Sequence, residues 1–125
     1  MIKIEKNIKS AIPEKQIQRD IARLLDMKGI LWIHSANEGS RSSALEGRLL
    51  KLAGVKAGFP DIVIFDPPPN KPSLKGAALE LKSESGSLSG PQKQWLDDLS
   101  KRGWLCACSH GLDEAIDILE SWGYL

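Results

Sequence analysis

Two short apolar runs, IVIF and AALEL, flank the proline-rich segment DPPPNKPSLKG. Each run has the length and the apolar character of a buried strand, and the loop between them is typical of a hairpin. If Phe65 pairs near Gly76, antiparallel register places Asp61 opposite Glu80, because paired positions have a constant sum. The loop therefore brings two carboxylates together at one end of the hairpin.

Four helical patterns surround the hairpin, and each has recognisable limits. The first begins at Pro13, and the third begins with the capping box S-G-P-Q, from Ser89 to Gln92. Glycines end the four patterns, at positions 29, 54, 103 and 123. Two further apolar stretches, ILWIH and WLCAC, are typical of strands. The order α-β-α-β-β-α-β-α predicts an α/β fold with a mixed central sheet flanked by helices.

Tryptophans and cysteines fall at apolar positions of these patterns, so we expect them in the core. The tryptophans are Trp32, Trp95, Trp104 and Trp122. Cys106 and Cys108 lie two apart, where a strand places both on one face, and we expect them to be reduced. A zinc site would need further ligands at suitable spacing, and the only histidines are His34 and His110.

Composition predicts one soluble globular domain over residues 1–125, since 42% of the residues are apolar and 26% are charged. No apolar run approaches a membrane span, and MIKIEKNIKS lacks the apolar core of a signal peptide, so we expect a cytoplasmic, non-secreted protein. The net charge is only +1, but between positions 41 and 56 four basic residues stand against one acid. Such a segment either meets phosphates or is an ordinary solvated helix face.

Pro60-Asp61 is followed nineteen positions later by Glu80-Leu81-Lys82. Period-two alternation directs Glu80 and Lys82 to one side of their strand, and the hairpin register puts Asp61 beside Glu80. Two converging carboxylates are costly unless a cation neutralises them, and Mg²⁺ typically takes one or two carboxylates together with waters and phosphate oxygens. A nearby ammonium can hold or deprotonate an attacking water. The three side chains thus predict a site of phosphodiester hydrolysis.

A chance match is the alternative for this pattern. At residue frequencies of about 5% each, a PD with a downstream ExK within roughly twenty positions arises in a few per cent of random chains of this length. The placement of the charges favours the functional interpretation, because a purely structural strand gains nothing from a charged pair at the end of an apolar run.

Several separated segments occur in an order that is typical of one nuclease family. They are PEKQIQ, W-x-H-x-x-N-E-x-x-R, GVKAGFPD, ALELK, GSLSGPQKQWL, LSKRGW and DEAIDILESWG. Over almost the whole chain they resemble the virus-type replication-repair nuclease (VRR-NUC) family, a branch of the PD-(D/E)xK superfamily. The resemblance implies a restriction-endonuclease-like fold and a Mg²⁺-dependent deoxyribonuclease in which Mn²⁺ can substitute.

The resemblance also implies roles for single residues. The two carboxylates of the hairpin would bind the metal together with the Leu81 carbonyl, and the lysine would position the water. Glu14 matches the family's N-terminal acid and would complete the metal site, directly or through water; the alternative is a favourable acid in a first helical turn. Gln92 matches the family's glutamine after ExK, and a capping role explains it equally well. The implied catalytic set is Asp61, Glu80, Lys82, Glu14 and Gln92.

Polar residues after the strand ILWIH match a family segment that precedes the site, and we expect them to meet DNA. His34, Asn37 and Arg41 can reach phosphates or a metal-bound water from such a loop, whereas a lone His at a strand end is more often a hydrogen-bonded structural residue. Arg41, Arg48 and Lys51 are expected to contact the DNA backbone, which sets affinity without reading sequence.

The resemblance further implies the kind of substrate. Members of the family act on branched or flapped DNA, and small viral and bacterial versions resemble junction-resolving enzymes that work as homodimers. A two-fold pair of sites suits two symmetric cuts in a four-way (Holliday) junction. One alternative is a non-catalytic DNA-binding module, although loss of hydrolysis should have removed an acid or the lysine. Another is a sequence-specific restriction enzyme, which usually needs added recognition elements.

Overall fold

The structure is a computed structural model that describes residues 12–35 and 43–125. Within these ranges the helices are α1 (Glu14–Met27), α2 (Ala44–Leu52), α3 (Gly90–Lys101) and α4 (Leu112–Trp122). The strands are β1 (Trp32–His34), β2 (Ile62–Ile64), β3 (Ala77–Lys82) and β4 (Leu105–His110). The predicted order of helices and strands is confirmed. None of the described helices has the length and apolarity needed to cross a membrane.

The described strands form one mixed sheet in the order β1-β2-β3-β4. β2 is antiparallel to both β1 and β3, whereas β4 is parallel to β3. β2 pairs with β3 through Ile62 opposite Leu79 and Ile64 opposite Ala77. These pairs have the predicted sum, so the register that brings position 61 next to position 80 is confirmed, and so is the fold class.

The two faces of the sheet differ in character. Ile17, Ile21 and Leu25 recur at helical spacing along α1, are at most 1% exposed, and pack with Leu79 and Leu81 of β3 in the core. Full burial of one such side chain stabilises the fold by about 1.5–3 kcal/mol. Because side chains alternate along a strand, the even-numbered residues of β3 point to the opposite face, against which α3 packs. Glu80 and Lys82 of the candidate site point to that second face.

The apolar face of α2 is exposed. None of the nine residues of this helix is buried, and Leu45 and Leu49 are each 57% exposed. The helix begins as expected, with Ser43 Oγ accepting a hydrogen bond from Glu46 N at 3.1 Å. A periodic pattern therefore predicted the helix correctly, but it does not specify which surface covers the apolar face.

The expectation that every tryptophan and cysteine lies in the core was only partly right. Trp122 is buried, whereas the other three tryptophans are half-buried. An indole N–H needs a polar partner, which keeps a ring near the boundary of the core; Trp95 Nε1, for example, donates to Ala57 O at 3.1 Å. Cys106 and Cys108 are free thiols and are also half-buried. Burial raises the pKa of Cys106 to about 11, which keeps this thiol protonated.

Candidate active site

Asp61 directly precedes β2, and contacts from the end of β1 hold its backbone. Ser35 N donates to Asp61 O at 2.9 Å, and Ser35 Oγ donates to Pro60 O at 2.7 Å. His34 Nδ1 lies 2.8 Å from the same Asp61 O, and since a carbonyl only accepts, Nδ1 is the donor. The Asp61 side chain then reaches β3, where its Oδ2 accepts from Leu81 N at 2.8 Å.

Glu80 is a buried carboxylate, with only 3% of its surface exposed. Its Oε2 accepts from Gln92 Nε2 at 3.1 Å and lies 3.3 Å from Lys82 Nζ. Its Oε1 is buried and has no hydrogen-bond partner within the described part of the chain. Burial, followed by the charge of Asp61, raises the pKa of Glu80 from 4.5 to about 8, and Lys82 opposes this shift.

This donor set fits a hard divalent cation. Mg²⁺ binds oxygen ligands and commonly takes only one or two protein carboxylates, while water fills its other positions. Burial and the charge of Asp61 both disfavour the ionised form of Glu80, and its Oε1 has no hydrogen-bond partner in the described residues, so two ionised carboxylates here need a compensating positive charge. A cation held between Asp61 and Glu80 would supply that charge.

Glu14 does not join these two carboxylates in a compact cluster. Among the residues that the structure describes, no three His, Cys, Asp or Glu side chains are grouped closely enough to hold a metal ion. Glu14 is the exposed first residue of α1 and lines the same cleft as Asp61 and Glu80. Its contribution to the metal site, directly or through water, stays a prediction.

Gln92 makes both of the contacts that its sequence position allowed, one that caps a helix and one with the site. Ser89 N donates to Gln92 Oε1 at 2.8 Å and Ser89 Oγ accepts from Gln92 N at 3.3 Å, which completes the capping box of α3. The amide nitrogen of the same side chain donates to Glu80. Because an amide carries an acceptor and two donors, one glutamine can cap the helix and orient the carboxylate.

The loop before Asp61 packs closely against the beginning of α3, and sequence reasoning missed this contact. Gly58 has φ +83°, and a Cβ there would lie 2.7 Å from the Pro91 backbone carbon. The next residue, Phe59, meets the ring of Trp95 edge-on with 4.9 Å between centroids. The close approach sets the position of Asp61 relative to α3, and only glycine permits it.

A cleft of about 960 Å³ opens over the carboxylates. It brings together these residues from the predicted catalytic and DNA-binding sets: Glu14, His34, Arg48, Lys51, Asp61, Glu80, Leu81, Lys82 and Gln92. Asn37 and Arg41 lie outside the described residues. The lining also includes Lys15, Gln18 and Arg19 of α1, which sequence reasoning did not single out. Helical spacing from Glu14 was an available signal for Gln18, since position i+4 lies on the same side of a helix.

A mixed sheet flanked by helices, with two acids and a lysine at the end of its hairpin, defines a nuclease-fold domain of the PD-(D/E)xK type. The sequence profile of the VRR-NUC domain matches residues 12–112. The chain therefore belongs to the VRR-NUC family, as its motifs suggested. A solved VRR-NUC domain protein shares its fold with a TM-score of 0.69 and 21% identity, over 92% of this chain and 91% of that one. Among curated proteins none matches the sequence.

Proposed function

We propose that the protein is a Mg²⁺-dependent DNA endonuclease, able to use Mn²⁺, that hydrolyses branched DNA such as four-way junctions or flaps. The observation that carries this proposal is the buried Glu80 carboxylate beside Asp61, with one oxygen 3.3 Å from Lys82 Nζ and the other without a partner in the described part of the chain. The proposed setting is DNA replication, recombination or repair in the cytoplasm of a bacterial cell or a phage-infected host. A homodimer would provide the two sites that a symmetric junction needs.

In this proposal each residue of the site has a distinct task. Asp61, Glu80 and the Leu81 carbonyl would hold the ion, which when bound would polarise the scissile phosphate and lower the pKa of a water. Lys82 holds that attacking water through Nζ, and Gln92 keeps the Glu80 carboxylate in one orientation. Products would carry 5′-phosphate and 3′-hydroxyl ends, as the family resemblance implies.

Cationic side chains on two helices support a DNA substrate. Lys15 and Arg19 of α1 and Arg48 and Lys51 of α2 line the cleft, and all four are exposed. Lysine and arginine at such positions contact phosphates and set affinity independently of sequence. Positively charged side chains from two helices in the same cleft as the carboxylates suit the binding of a nucleic-acid strand.

The test compares the wild type with Lys82→Ala on labelled four-way junctions, flaps and linear duplexes, with Mg²⁺, Mn²⁺ or EDTA. We expect metal-dependent cleavage that is fastest on branched DNA, and a loss of at least about a hundredfold in the variant. Lys101→Ala is the matched control, because Lys101 pairs with Asp97 at 2.9 Å at the other end of α3. Equal or absent cleavage by the wild type and Lys82→Ala on every substrate would contradict the proposal.

A non-catalytic DNA-binding module is the alternative, and binding measured on the same substrates separates the two functions. The presence of both acids and the lysine in one cleft favours hydrolysis. We expect Lys82→Ala to retain junction binding while it loses cleavage. A wild-type protein that binds junctions tightly but cleaves none with either metal would favour the alternative.

A further inference from the structure

Gln18 lines the cleft, yet the proposed mechanism gives it no role. It follows Glu14 by one helical turn on α1, and its Oε1 is buried without a hydrogen-bond partner in the described part of the chain. Its neighbours Ile17 and Ile21 lie in the core, so the backbone that carries Gln18 is firmly placed. Because a buried amide oxygen without a donor costs stability, packing alone does not account for glutamine here.

Gln18 Oε1 is an acceptor, and Glu80 Oε1 is one whenever its carboxyl group is ionised. Within the described residues, the buried oxygens of Gln18 and Glu80 lack a donor, and both residues line the same cleft. A third such oxygen belongs to Ser109, which is paired with Leu81 in the register of β3 and β4 and so lies on the core face instead. When Glu80 is ionised, two acceptors in one cleft call for a donor or a cation, and the described residues do not supply one.

We propose that Gln18 Oε1 accepts a hydrogen bond from a water molecule bound to the metal ion at Asp61 and Glu80. This inference rests on the proposed function, because it requires the ion. Mg²⁺ keeps several of its waters, and each has protons to donate. An amide oxygen can accept one of them without adding a third negative charge beside the two carboxylates. Gln18 is thus a positioning residue that orients the hydration shell of the ion.

The test is a calorimetric titration with Mn²⁺ of the wild type, Gln18→Met and Gln18→Glu. Methionine is similar to glutamine in length and shape but cannot accept in the same way, so we expect its affinity for Mn²⁺ to fall at least tenfold. Gln18→Glu keeps the acceptor and should bind Mn²⁺ at least as tightly as the wild type. Gln16→Met is the matched control on the same helix, since Gln16 donates to Asp20 at 2.9 Å outside the cleft.

A second measurement separates a metal-directed role from a structural one. In EDTA, urea denaturation should find Gln18→Met at least as stable as the wild type, because an apolar group replaces an unpaired amide. Three results would each overturn the inference. Gln18→Met could bind Mn²⁺ as tightly as the wild type, Gln18→Glu could lose as much affinity for Mn²⁺ as Gln18→Met, or Gln18→Met could be less stable than the wild type in EDTA. If the wild type binds no Mn²⁺, the proposed metal site is wrong. If the wild type binds Mn²⁺ and Gln18→Met binds it with the same affinity, only the proposed role of Gln18 is wrong.

Discussion

Replacing the buried Glu80 by glutamine should stabilise the protein in the absence of metal, even though the change removes a proposed metal ligand. The carboxyl group is 3% exposed and lies beside Asp61, so its ionised form is unfavourable in the folded state. Glutamine is nearly isosteric, has no charge, and its amide N–H can donate to a neighbouring carboxylate. The substitution therefore removes the electrostatic penalty and leaves the packing in place.

The sign and the size of the effect follow from the pKa of Glu80, about 8 against an ordinary 4.5. Between pH 4.5 and about 8, Glu80 is protonated in the folded state but ionised in the unfolded state. The free energy of unfolding of the wild type therefore decreases as the pH rises from 4.5 to about 8. At ~1.4 kcal/mol per pKa unit, the interval corresponds to at most roughly 5 kcal/mol. Relaxation and water entry around the ionised pair lower this figure, and we expect roughly 2–4 kcal/mol.

Urea denaturation followed by tryptophan fluorescence measures this difference, in EDTA, at about pH 5 and at about pH 8.5. Glu80→Gln should match the wild type at the lower pH and exceed it at the higher pH. Mg²⁺ at a hundred times its Kd should then stabilise only the wild type, by about 2.7 kcal/mol. Glu120→Gln, which changes an exposed carboxylate of α4, is the control and should follow the wild type throughout.

Two results would refute this reasoning. One is a stability difference between Glu80→Gln and the wild type that does not change with pH, since the buried carboxyl would then titrate normally. The other is a metal-free variant that is less stable than the wild type above about pH 8, since the ionised pair would then be favourable without a cation.

Two further predictions concern the backbone next to the site and the walls of the cleft. Gly58→Ala should destabilise the fold by about 3 kcal/mol or more, since its Cβ would lie 2.7 Å from Pro91. Gly54 has φ +102° but no neighbouring atom within 4 Å of the position that a Cβ would take, so Gly54→Ala should lower the free energy of unfolding by only about 1 kcal/mol. Urea denaturation measures both variants, and equal losses of stability would contradict a clash between position 58 and Pro91. Arg48→Ala and Lys51→Ala should each reduce the slope of log binding constant against log salt concentration for junction DNA by about 1, and unchanged slopes would show that α2 does not contact phosphates.

Much of the fold could be predicted because it depends on local geometry. The hairpin register followed from positions flanking one loop, and the capping box of α3 followed from Ser89 and Gln92 three positions apart. Such relations are set by the repeat of a strand or of a helical turn, and they hold whatever the rest of the chain does. The proximity of Asp61 and Glu80 belongs to this class, which is why the centre of the site was predictable.

Burial was less predictable, because it depends on which surfaces meet. Leu45, Leu49 and Leu52 of α2 have helical spacing and yet are exposed, and Cys106 and Cys108 are only half-buried. A pattern of apolar residues shows that a helix or strand has an apolar face, but a second element must lie close enough to cover it.

The sequence by itself determined the order of the elements, the hairpin register, and the pairing of two acids with a lysine. Only the tertiary structure decided that Gln92 both caps α3 and contacts Glu80, and that Gln18 faces the cleft with an unpartnered oxygen. These contacts join elements that are distant in the chain. Their existence depends on how α1, α3 and β3 pack together, and no local repeat encodes that packing.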